Sequence, residues 1–513
     1  MKFYVTTAIA YVNDRPGLHH GYEFAGADAL ARFRRQRGDE VFFLTGTDEN
    51  ATRNEQAAKE QGIPTRQLVD KYAGEFRSMA DLWNISYDRF IRTTDADHIA
   101  GVQEFVRRWT LNDDVYLTTY EGWYCTGCEA FYEESDLVDG HCPIHPTREV
   151  QRLKEENYFF RLSKYEQRLK DLYRERPDFC VPEIRRNEVL GWLDRGLRDI
   201  SVSRRNLTWG IPFPDKPGHT VYVWFDALIN YVTGVGFGTD EKKFKKWWPA
   251  DLHVIGLDIT RFHCIFWPAM LMAAGVELPR RVYAHGFLHY AGEGRLSRSS
   301  GNMIDPIAAA NEWGSDALRY LLLREAPFAK DSPISPDLLD LRFNADLANG
   351  LGNLVSRATK MVALYCDGRV PPPGQGGPSE ALLRETAERA LVAHDESAAR
   401  LDFSEALAAI LSVVEEANKH FQRTQPWQAA KDPARKADVE ASVYAGLEAV
   451  RLVAYLLFPY MPTISPRIAE LLGVESPASA KWESVARWGL LRPGMEIRPA
   501  PSLFPRLERA KTA

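Results

Sequence analysis

The first fifty residues change twice between a strand-like and a helix-like pattern of apolar positions. Residues 3–8 and 40–45 are short, continuous runs of aromatic and β-branched residues, as in strands buried on both faces. Between them, apolar residues such as Tyr22 and Leu30 recur at helical spacing, and Gly38 predicts the end of that helix. This order predicts a parallel α/β sheet, which binds ligands beyond the carboxyl ends of its strands.

The pattern changes again further along the chain. Residues 117–218 are rich in aromatic, charged and cysteine residues and predict an insertion. Apolar runs at Val221–Trp224 and Leu252–Gly256 then predict a return of the sheet. From about Asp331 the chain favours long helices, interrupted by residues 371–378, whose proline and glycine content predicts a loop. We therefore expect an α/β fold followed by an all-α C-terminal part.

Length, charge and cysteine usage narrow the class of protein. A chain of 513 residues is too long for one hydrophobic core. Its net charge of −6 argues against a protein that simply coats nucleic acid, so any RNA contact needs local basic patches. The N-terminus has no signal-peptide pattern, the apolar stretch 265–276 is too short to span a bilayer, and six cysteines do not suggest a disulfide scaffold. We expect a cytoplasmic protein without membrane contact.

Two pairs of metal-type ligands lie in the predicted insertion. Two residues separate Cys125 from Cys128 and Cys142 from His145, and 13 residues lie between the pairs. This spacing lets each pair bind one ion, and four such ligands complete the closed tetrahedral shell of structural zinc. His141 is an alternative fourth ligand, although its neighbour Cys142 places it badly, and four unrelated side chains are the other interpretation. Such a zinc ion would shape the insertion and take no part in catalysis.

Residues 13–22 and 295–299 resemble the two signature motifs of class I aminoacyl-tRNA synthetases, in the form found in methionyl-tRNA synthetases. The first is usually His-Leu-Gly-His and here reads Gly17-Leu18-His19-His20. The second is usually Lys-Met-Ser-Lys-Ser and here reads Arg295-Leu296-Ser297-Arg298-Ser299. A helix start and cationic side chains stabilise phosphate charge. The resemblance implies ATP binding by Gly17, His19, His20, Arg295 and Arg298, with catalytic roles for His20, Arg295, Ser297 and Arg298.

Four departures from the family's pattern lie on the ATP side. Gly17 removes one imidazole while His19 adds one where the family has glycine, and arginine, which is larger and forked, replaces both lysines of the second motif. Leu257 replaces a lysine, and Asn50 and its neighbour replace a His-Gly pair. The flanking Gly256 and Asp258 keep the family's nucleotide positions, with Asp258 expected at the ribose. The departures predict altered or weakened adenylation.

Three separated segments match the family's methionine pocket. They would form an apolar, ring-lined cavity suited to a thioether, because sulfur packs well against ring edges. Any one of these aromatic residues alone is explained as ordinary core, so the interpretation depends on their joint match. Asp48 would pair with the α-ammonium group of the substrate. The implied methionine-binding residues are Ile9, Tyr11, Asp48, Trp224, Ala227, Leu228, Tyr231, Ile259 and His263.

Two clusters in the helical part resemble the family's anticodon-binding surface. Asn353 and Arg357 are one helical turn apart, and Trp427 follows a proline as in the family's Pro-Trp element. An amide, a guanidinium and an aromatic ring are suited to bind and stack unstacked loop bases. A helix cap with a buried tryptophan is the other interpretation of Trp427 alone.

The resemblance covers nearly the whole chain and implies a Rossmann-type parallel sheet in the catalytic domain. The expected division is 1–116 and 219–284 for the two catalytic halves, 117–218 for the zinc-bearing connective insertion, 285–336 for the signature-loop and stem-contact region, and 337–513 for a helical-bundle anticodon-binding domain.

The leading hypothesis is ATP-dependent ligation of L-methionine to tRNA(Met) through methionyl-adenylate, with Mg²⁺ accompanying ATP, by a monomeric enzyme. Two alternatives follow from the ATP-side departures. One is a paralogue that has lost efficient ATP activation and binds methionine, tRNA or methionyl-tRNA. The other is a repurposed ligase that activates methionine, or a relative of it, for an acceptor other than tRNA.

Overall fold

The computed structural model describes residues 1–125, 130–132, 134–143, 146, 149–205, 207–291 and 304–508. Within these ranges no helix is both long and apolar enough to cross a membrane. The strands, numbered in chain order, are β1 Lys2–Thr7, β2 Ala10–Tyr11, β3 Glu40–Asp48, β4 Arg89–Arg92, β5 Val115–Cys125, β6 Ala130–Tyr132, β7 Val150–Phe160, β8 Cys180–Val181, β9 Ile200–Ser201, β10 Ser203–Arg205, β11 His219–Val221, β12 Leu252–Gly256, β13 Val282–His285, β14 Leu288–Tyr290 and β15 Ser332–Ile334.

The helices connect and cover these strands and then continue alone into the C-terminal third. They are α1 Leu18–Gln36, α2 Thr52–Glu60, α3 Thr65–Leu82, α4 Ala96–Leu111, α5 Glu166–Glu175, α6 Glu183–Asp194, α7 Val223–Thr233, α8 Glu241–Trp247, α9 Trp267–Ala274, α10 Pro306–Trp313, α11 Ser315–Glu325, α12 Pro336–Arg342, α13 Asn353–Tyr365, α14 Pro378–Ala399, α15 Phe403–Thr424, α16 Pro426–Ala429, α17 Lys436–Leu457, α18 Ile464–Leu471 and α19 Trp482–Val485. A 3₁₀ turn spans Leu257–Ile259, and π-helical segments span Phe262–Phe266 and Phe343–Gly352.

The main sheet is parallel throughout and has the order β2-β3-β1-β12-β13-β8, with β4 also paired to β3. Successive side chains of its central strands alternate between two hydrophobic cores. In β1, Tyr4 belongs to the core that contains α4, α7 and α9, whereas Val5 belongs to the core that contains α1, α3 and the C-terminal helices. Burial on both faces explains why these strands are continuous apolar runs. The sequence-based prediction of a parallel α/β sheet is confirmed.

A second, antiparallel sheet with the order β6-β5-β7-β9 lies within the segment predicted as an insertion. Its long strands β5 and β7 pair along their whole length, from Val115 opposite Phe160 to Cys125 opposite Val150. The same segment also contributes β8, which pairs with β13 in the main sheet. Residues 117–218 are therefore not wholly separate from the sheet that they interrupt.

The apolar run Val221–Trp224 was expected to be a strand of the main sheet, and this prediction is wrong. Strand β11 ends at Val221 and pairs with β10, and α7 begins at Val223. Short apolar runs do not distinguish a buried strand from the start of a buried helix. By contrast, Leu252–Gly256 forms β12, and residues 371–377 form the predicted loop, after which Pro378 begins α14.

A buried ion pair joins α1 to the helical part of the chain. Asp28 and Arg319 are fully buried, and Nη2 of Arg319 donates to Oδ2 of Asp28 at 2.6 Å. Arg319 also donates to the backbone carbonyl oxygens of Trp83, Pro459 and Tyr460 at 3.0–3.1 Å. Because the guanidinium and carboxylate satisfy each other and the surrounding carbonyl groups, removal of either one leaves a buried charge without compensation.

We expect Asp28→Asn to lower the free energy of unfolding by about 3–5 kcal/mol, the usual cost of breaking a buried pair from one side. Arg384→Gln is a suitable control because Arg384 forms an exposed pair with Glu388, and such pairs contribute about 0–1 kcal/mol. Urea and thermal unfolding measure the free energy of unfolding of both variants. A loss from Asp28→Asn no larger than that of the control would contradict the role assigned to this pair.

The same pair predicts a pH dependence of stability. Burial alone would raise the pKa of the Asp28 carboxyl group, but Arg32, Arg319 and Ser86 outweigh it and lower that pKa to about 2. A carboxyl group with a lowered folded-state pKa stabilises the fold above its unfolded pKa of about 4, and this contribution is lost as the pH falls towards 2. The difference in stability between wild type and Asp28→Asn should therefore narrow below pH 4.

Candidate functional site

The order of the main sheet places two loops side by side at its carboxyl edge. Strands β1 and β12 are parallel neighbours, with Thr7 opposite Val254. Helix α1 follows β1 and β2, and the 3₁₀ turn Leu257–Ile259 follows β12 directly. Chain connections leave in opposite directions on either side of this pair, and ligands of open α/β sheets bind at such a switch point.

Helix α1 begins at this edge with a reciprocal contact between Gly17 and His20. The Gly17 N–H donates to His20 Nδ1 at 2.9 Å, and the His20 N–H donates to the Gly17 carbonyl at 3.0 Å. Since Nδ1 accepts, the neutral imidazole carries its proton on Nε2. Burial, followed by the neighbouring His19, holds the pKa of His20 well below its usual value. At neutral pH, His20 is therefore an uncharged donor beside the amino end of a helix.

The side chain of His19 occupies the space beside Gly17. A Cβ added to Gly17 would lie 2.7 Å from His19 Cε1 and 2.9 Å from its Nδ1, closer than such contacts occur. The rings of His19 and His20 lie 3.9 Å apart. The two unusual residues of the first motif are thus in contact, and a side chain at residue 17 would require the exposed ring of His19 to move.

The turn after β12 is shaped by Gly256 and Asp258. A Cβ at Gly256 would come within 2.9 Å of Asp258 Oδ1, so glycine leaves room for that carboxylate. Glu23 and His285, which the sequence reasoning did not identify, also lie at this edge, with His285 Nε2 2.9 Å from Glu23 Oε2. Burial alone would lower the pKa of His285, but Glu23 outweighs it and raises that pKa. The available signal was the position of Glu23, one helical turn after His20 in α1.

The second motif falls outside the described residues. Arg295, Ser297 and Arg298 all belong to residues 292–303. Their proposed contacts with phosphate therefore remain predictions.

The three segments predicted to bind methionine converge around Trp224. Its ring lies 6.2 Å from the Tyr11 ring, edge to face, and is stacked at 3.8 Å on Phe262, a residue that was not predicted. The signal for Phe262 was its place next to His263 in a matching segment. Of the predicted residues, Ile9, Tyr11, Trp224 and Ile259 are half-buried, and Ala227, Leu228, Tyr231 and His263 are buried.

Tyr231 and His263 determine each other's hydrogen-bonding roles. His263 Nδ1 lies 3.1 Å from the carbonyl oxygen of Ile259, which can only accept, so Nδ1 carries the proton. Nε2 therefore accepts from the Tyr231 hydroxyl at 2.7 Å. Burial lowers the pKa of His263 to about 4, so its ring is uncharged at neutral pH. A neutral, fixed ring is compatible with an apolar ligand.

A side-chain hydrogen bond connects the residues that follow β3 to α7, the helix that carries Trp224 and Tyr231. Asp48 is buried at the last position of β3 and is paired in register with Tyr11. Two residues later, Asn50 donates from Nδ2 to Asp226 Oδ2 at 2.7 Å, and His98 Nε2 lies 2.7 Å from the other oxygen of Asp226. Asn50, one of the four departures, thus belongs to a buried polar network behind the Trp224 cluster.

Half of the predicted zinc ligand set lies within the described residues. Cys125 and Cys142 are fully buried, although His141 and Pro143 beside Cys142 are exposed. Cys128 and His145 lie outside the described ranges. Within those ranges no group of three or more potential ligands is present. Two buried thiols, one of them flanked by exposed residues, fit the chemistry of a structural zinc site.

The predicted anticodon-binding residues lie together on the helical part. Arg357 places its guanidinium carbon 5.5 Å from the centre of the Trp427 ring. Asn353, the first residue of α13, is exposed and bonds to Asn418 of α15. We call Asn353, Arg357, Asn418 and Trp427 the α13–α16 surface.

Almost the full chain matches known protein families. Residues 3–151 and 146–359 match the family described as tRNA synthetases class I (M), and residues 370–513 match the anticodon binding domain of methionyl tRNA ligase. The chain belongs to the methionyl-tRNA synthetase family. This result agrees with the resemblance of the signature motifs, the pocket segments and the α13–α16 surface.

Individual methionyl-tRNA synthetases are similar over the whole chain. The methionine–tRNA ligase of Mycobacterium tuberculosis strain H37Rv is 45% identical, with coverage of 99% of this chain and 98% of the relative. That of Thermotoga maritima is 42% identical, with coverage of 99% and 81%. The structure of the M. tuberculosis methionyl-tRNA synthetase in complex with methionyl-adenylate superposes with a TM-score of 0.94 at 45% identity, covering 98% of this chain and 100% of that one. The TM-score to its apo form is 0.88, at 43% identity and 99% coverage of both chains.

Proposed function

We propose that this chain ligates L-methionine to tRNA(Met) at the expense of ATP, through methionyl-adenylate. The observation that supports this most strongly is the convergence of three remote segments around Trp224, next to the switch point where α1 and Asp258 meet. The structural similarity to a synthetase that binds methionyl-adenylate supports the same function. Because tRNA is charged in the cytoplasm, we also propose a cytoplasmic location for this chain. We propose a monomer as its working form.

The proposed reaction has two steps and needs no covalent enzyme intermediate. The methionine carboxylate attacks the α-phosphorus of ATP, and pyrophosphate leaves with the electron pair of the broken P–O bond. A hydroxyl group of the terminal ribose of tRNA then attacks the activated carbonyl, and AMP leaves. Mg²⁺ accompanies ATP as part of the substrate and offsets phosphate charge.

The chain's own groups would position the reactants. Trp224, Tyr11 and the neutral ring of His263 would hold the thioether side chain, and Asp48 would pair with the α-ammonium group. Asp258 would bind the ribose. His20 would donate from Nε2 to phosphate, together with the amino end of α1 and with Arg295 and Arg298 of the second motif.

Methionine-dependent exchange of pyrophosphate into ATP, followed by charging of tRNA(Met), tests the proposed function. Trp224→Ala should raise KM for methionine about 10- to 100-fold, because a large ring contact is lost, with a much smaller effect on KM for ATP. Trp488→Ala is the matched control, since Trp488 lies in the C-terminal segment and should not affect either constant.

Each outcome separates the proposal from its alternatives. No exchange at saturating methionine would exclude the ligase and favour a binding paralogue. Exchange without charging of any tRNA would favour a ligase with another acceptor. Equal effects of both tryptophan variants would show that Trp224 is only structural.

We further propose that Gly17 and His19 are a compensating pair and that the ATP site is rearranged, not lost. The ring of His19 lies against Gly17, in the space where a side chain of residue 17 would stand. Residue 19 thus supplies, at the start of α1, the imidazole that residue 17 supplies in the family's usual motif. On this basis the first motif still offers two imidazoles to phosphate.

A double-mutant cycle tests this compensation. Gly17→His crowds His19, and His19→Gly removes an imidazole, so each single change should lower kcat/KM for ATP by about 10-fold in the exchange assay. The double variant should return to within about 3-fold of wild type, because it moves the ring to residue 17 and frees residue 19. KM for methionine serves as the internal control. Strictly additive losses would contradict the compensation.

We also propose that Cys125, Cys128, Cys142 and His145 hold one structural zinc ion at the end of the β5–β7 hairpin. Cys125 is the last residue of β5, and Cys142 is buried among exposed neighbours. Thiolates and an imidazole would complete a closed shell, so the ion would stabilise the insertion without touching the substrate.

Metal analysis should find about one zinc per chain in the wild type and a large loss in Cys125→Ser or Cys142→Ser. Cys366→Ser is the control, because Cys366 lies in the helical part. Limited proteolysis should cleave the insertion faster in the two ligand variants, a readout independent of activity. A folded, zinc-free wild type would refute this part of the proposal.

A further inference from the structure

Asn418 lies between a π-helical segment and the exposed Asn353. The segment Phe343–Gly352 leads directly into α13, and π-helical turns are frequent at functional sites. Its Gly350 carbonyl oxygen lies 3.2 Å from the side chain of Asn418 on α15. On its other side, Asn418 contacts Asn353. The orientation of the Asn418 amide therefore decides what Asn353 can present to a ligand.

The surroundings of Asn418 identify its terminal atoms. One of them lies 3.2 Å from the Gly350 carbonyl oxygen and 3.0 Å from that of Val414. Carbonyl oxygens accept and never donate, so this atom is the NH₂ group, which has one proton for each carbonyl. The other terminal atom is then the oxygen Oδ1, which can only accept.

Asn418 Oδ1 in turn fixes the amide of Asn353. The two side chains meet at 3.1 Å, and since Asn418 offers an acceptor there, Asn353 must donate from Nδ2. The acceptor of Asn353, its Oδ1, is left for a ligand, and within the described ranges it has no hydrogen-bond partner. Without Asn418, the amide could turn over and offer nitrogen instead.

We propose that Asn418 is a positioning residue that makes Asn353 present a hydrogen-bond acceptor and so selects an anticodon base with an exocyclic amino group. The inference rests on the proposed function. In a CAU anticodon, cytosine and adenine carry such an amino donor, whereas uracil and guanine carry a carbonyl oxygen at the equivalent position. An oxygen facing the Asn353 oxygen leaves both without a hydrogen bond, which penalises the wrong base.

Charging of tRNA transcripts measures this selection directly. Values of kcat/KM are compared for the CAU anticodon, for a first base changed from C to U, and for a second base changed from A to G. Wild type, Asn353→Ala, Asn418→Ala and Asn418→Asp are tested. Ser412→Ala is the control, because Ser412 is exposed on the same helix and bonds to the Ala409 carbonyl of that helix.

Asn418→Ala should lower the preference for the amino base at one of the two positions by about 3- to 10-fold, as the loss of one oriented hydrogen bond implies. Asn418→Asp puts a carboxylate oxygen where the NH₂ group donates to the carbonyl oxygens of Gly350 and Val414, so it should lose the preference as well. Ser412→Ala should keep the wild-type preference at both positions. If Asn418→Ala does not fold, Asn418→Ser replaces it, since a serine hydroxyl can still bond to the Val414 carbonyl.

Other results would overturn the inference in distinguishable ways. If Asn353→Ala relaxes the preference and Asn418→Ala does not, Asn418 has no role in selection, while the α13–α16 surface stands. If Asn418→Asp keeps the preference that Asn418→Ala loses, Asn418 acts by packing and not through its NH₂ group. If the wild type charges none of the transcripts, the proposed function itself fails.

Discussion

The parallel pairing of β1 with β3 and β12 is the constraint on which the site depends. It brings residues 2–7, 40–48 and 252–256, which are far apart in the chain, side by side in one sheet. Because all three strands run the same way, their carboxyl ends deliver Asp48, the start of α1 and Asp258 to the same place. A shift of one residue in this register would exchange the two faces of each strand and misplace every one of these groups.

Helix α1 links this edge to the rest of the molecule. Its first turn carries His19 and His20, its middle carries Asp28 in the buried pair with Arg319, and Gln36 at its end donates to the Tyr455 carbonyl of α17. The residues closest to the proposed nucleotide site are therefore held by the same helix that packs on the C-terminal helices. This arrangement gives the first motif a rigid support, so its unusual residues are presented in a defined geometry.

Sequence patterns were informative where burial imposes a periodicity. β1, α1, β3, β12 and the loop before α14 all appear where the apolar runs and turn residues predicted them. The run at Val221–Trp224 failed because strand and buried-helix starts look alike over four residues. The match of the pocket segments predicted that these segments lie together, but not that Trp224 stacks on Phe262. The orientation of the Asn418 amide and the contact of His19 with Gly17 depend on distances between atoms, which a pattern of apolar positions does not predict.

The proposed function requires that the segments around Tyr11, Trp224 and Phe262 form one cleft that holds a thioether beside a nucleotide. A crystal structure of the chain with methionyl-adenylate bound tests it most directly. We expect the thioether to lie against the rings of Trp224 and Tyr11, the ribose at Asp258, and the phosphate at the start of α1 beside His19 and His20. An adenylate bound elsewhere, or a Trp224 cluster that stays closed and without contact to the ligand, would show that the proposed site is wrong.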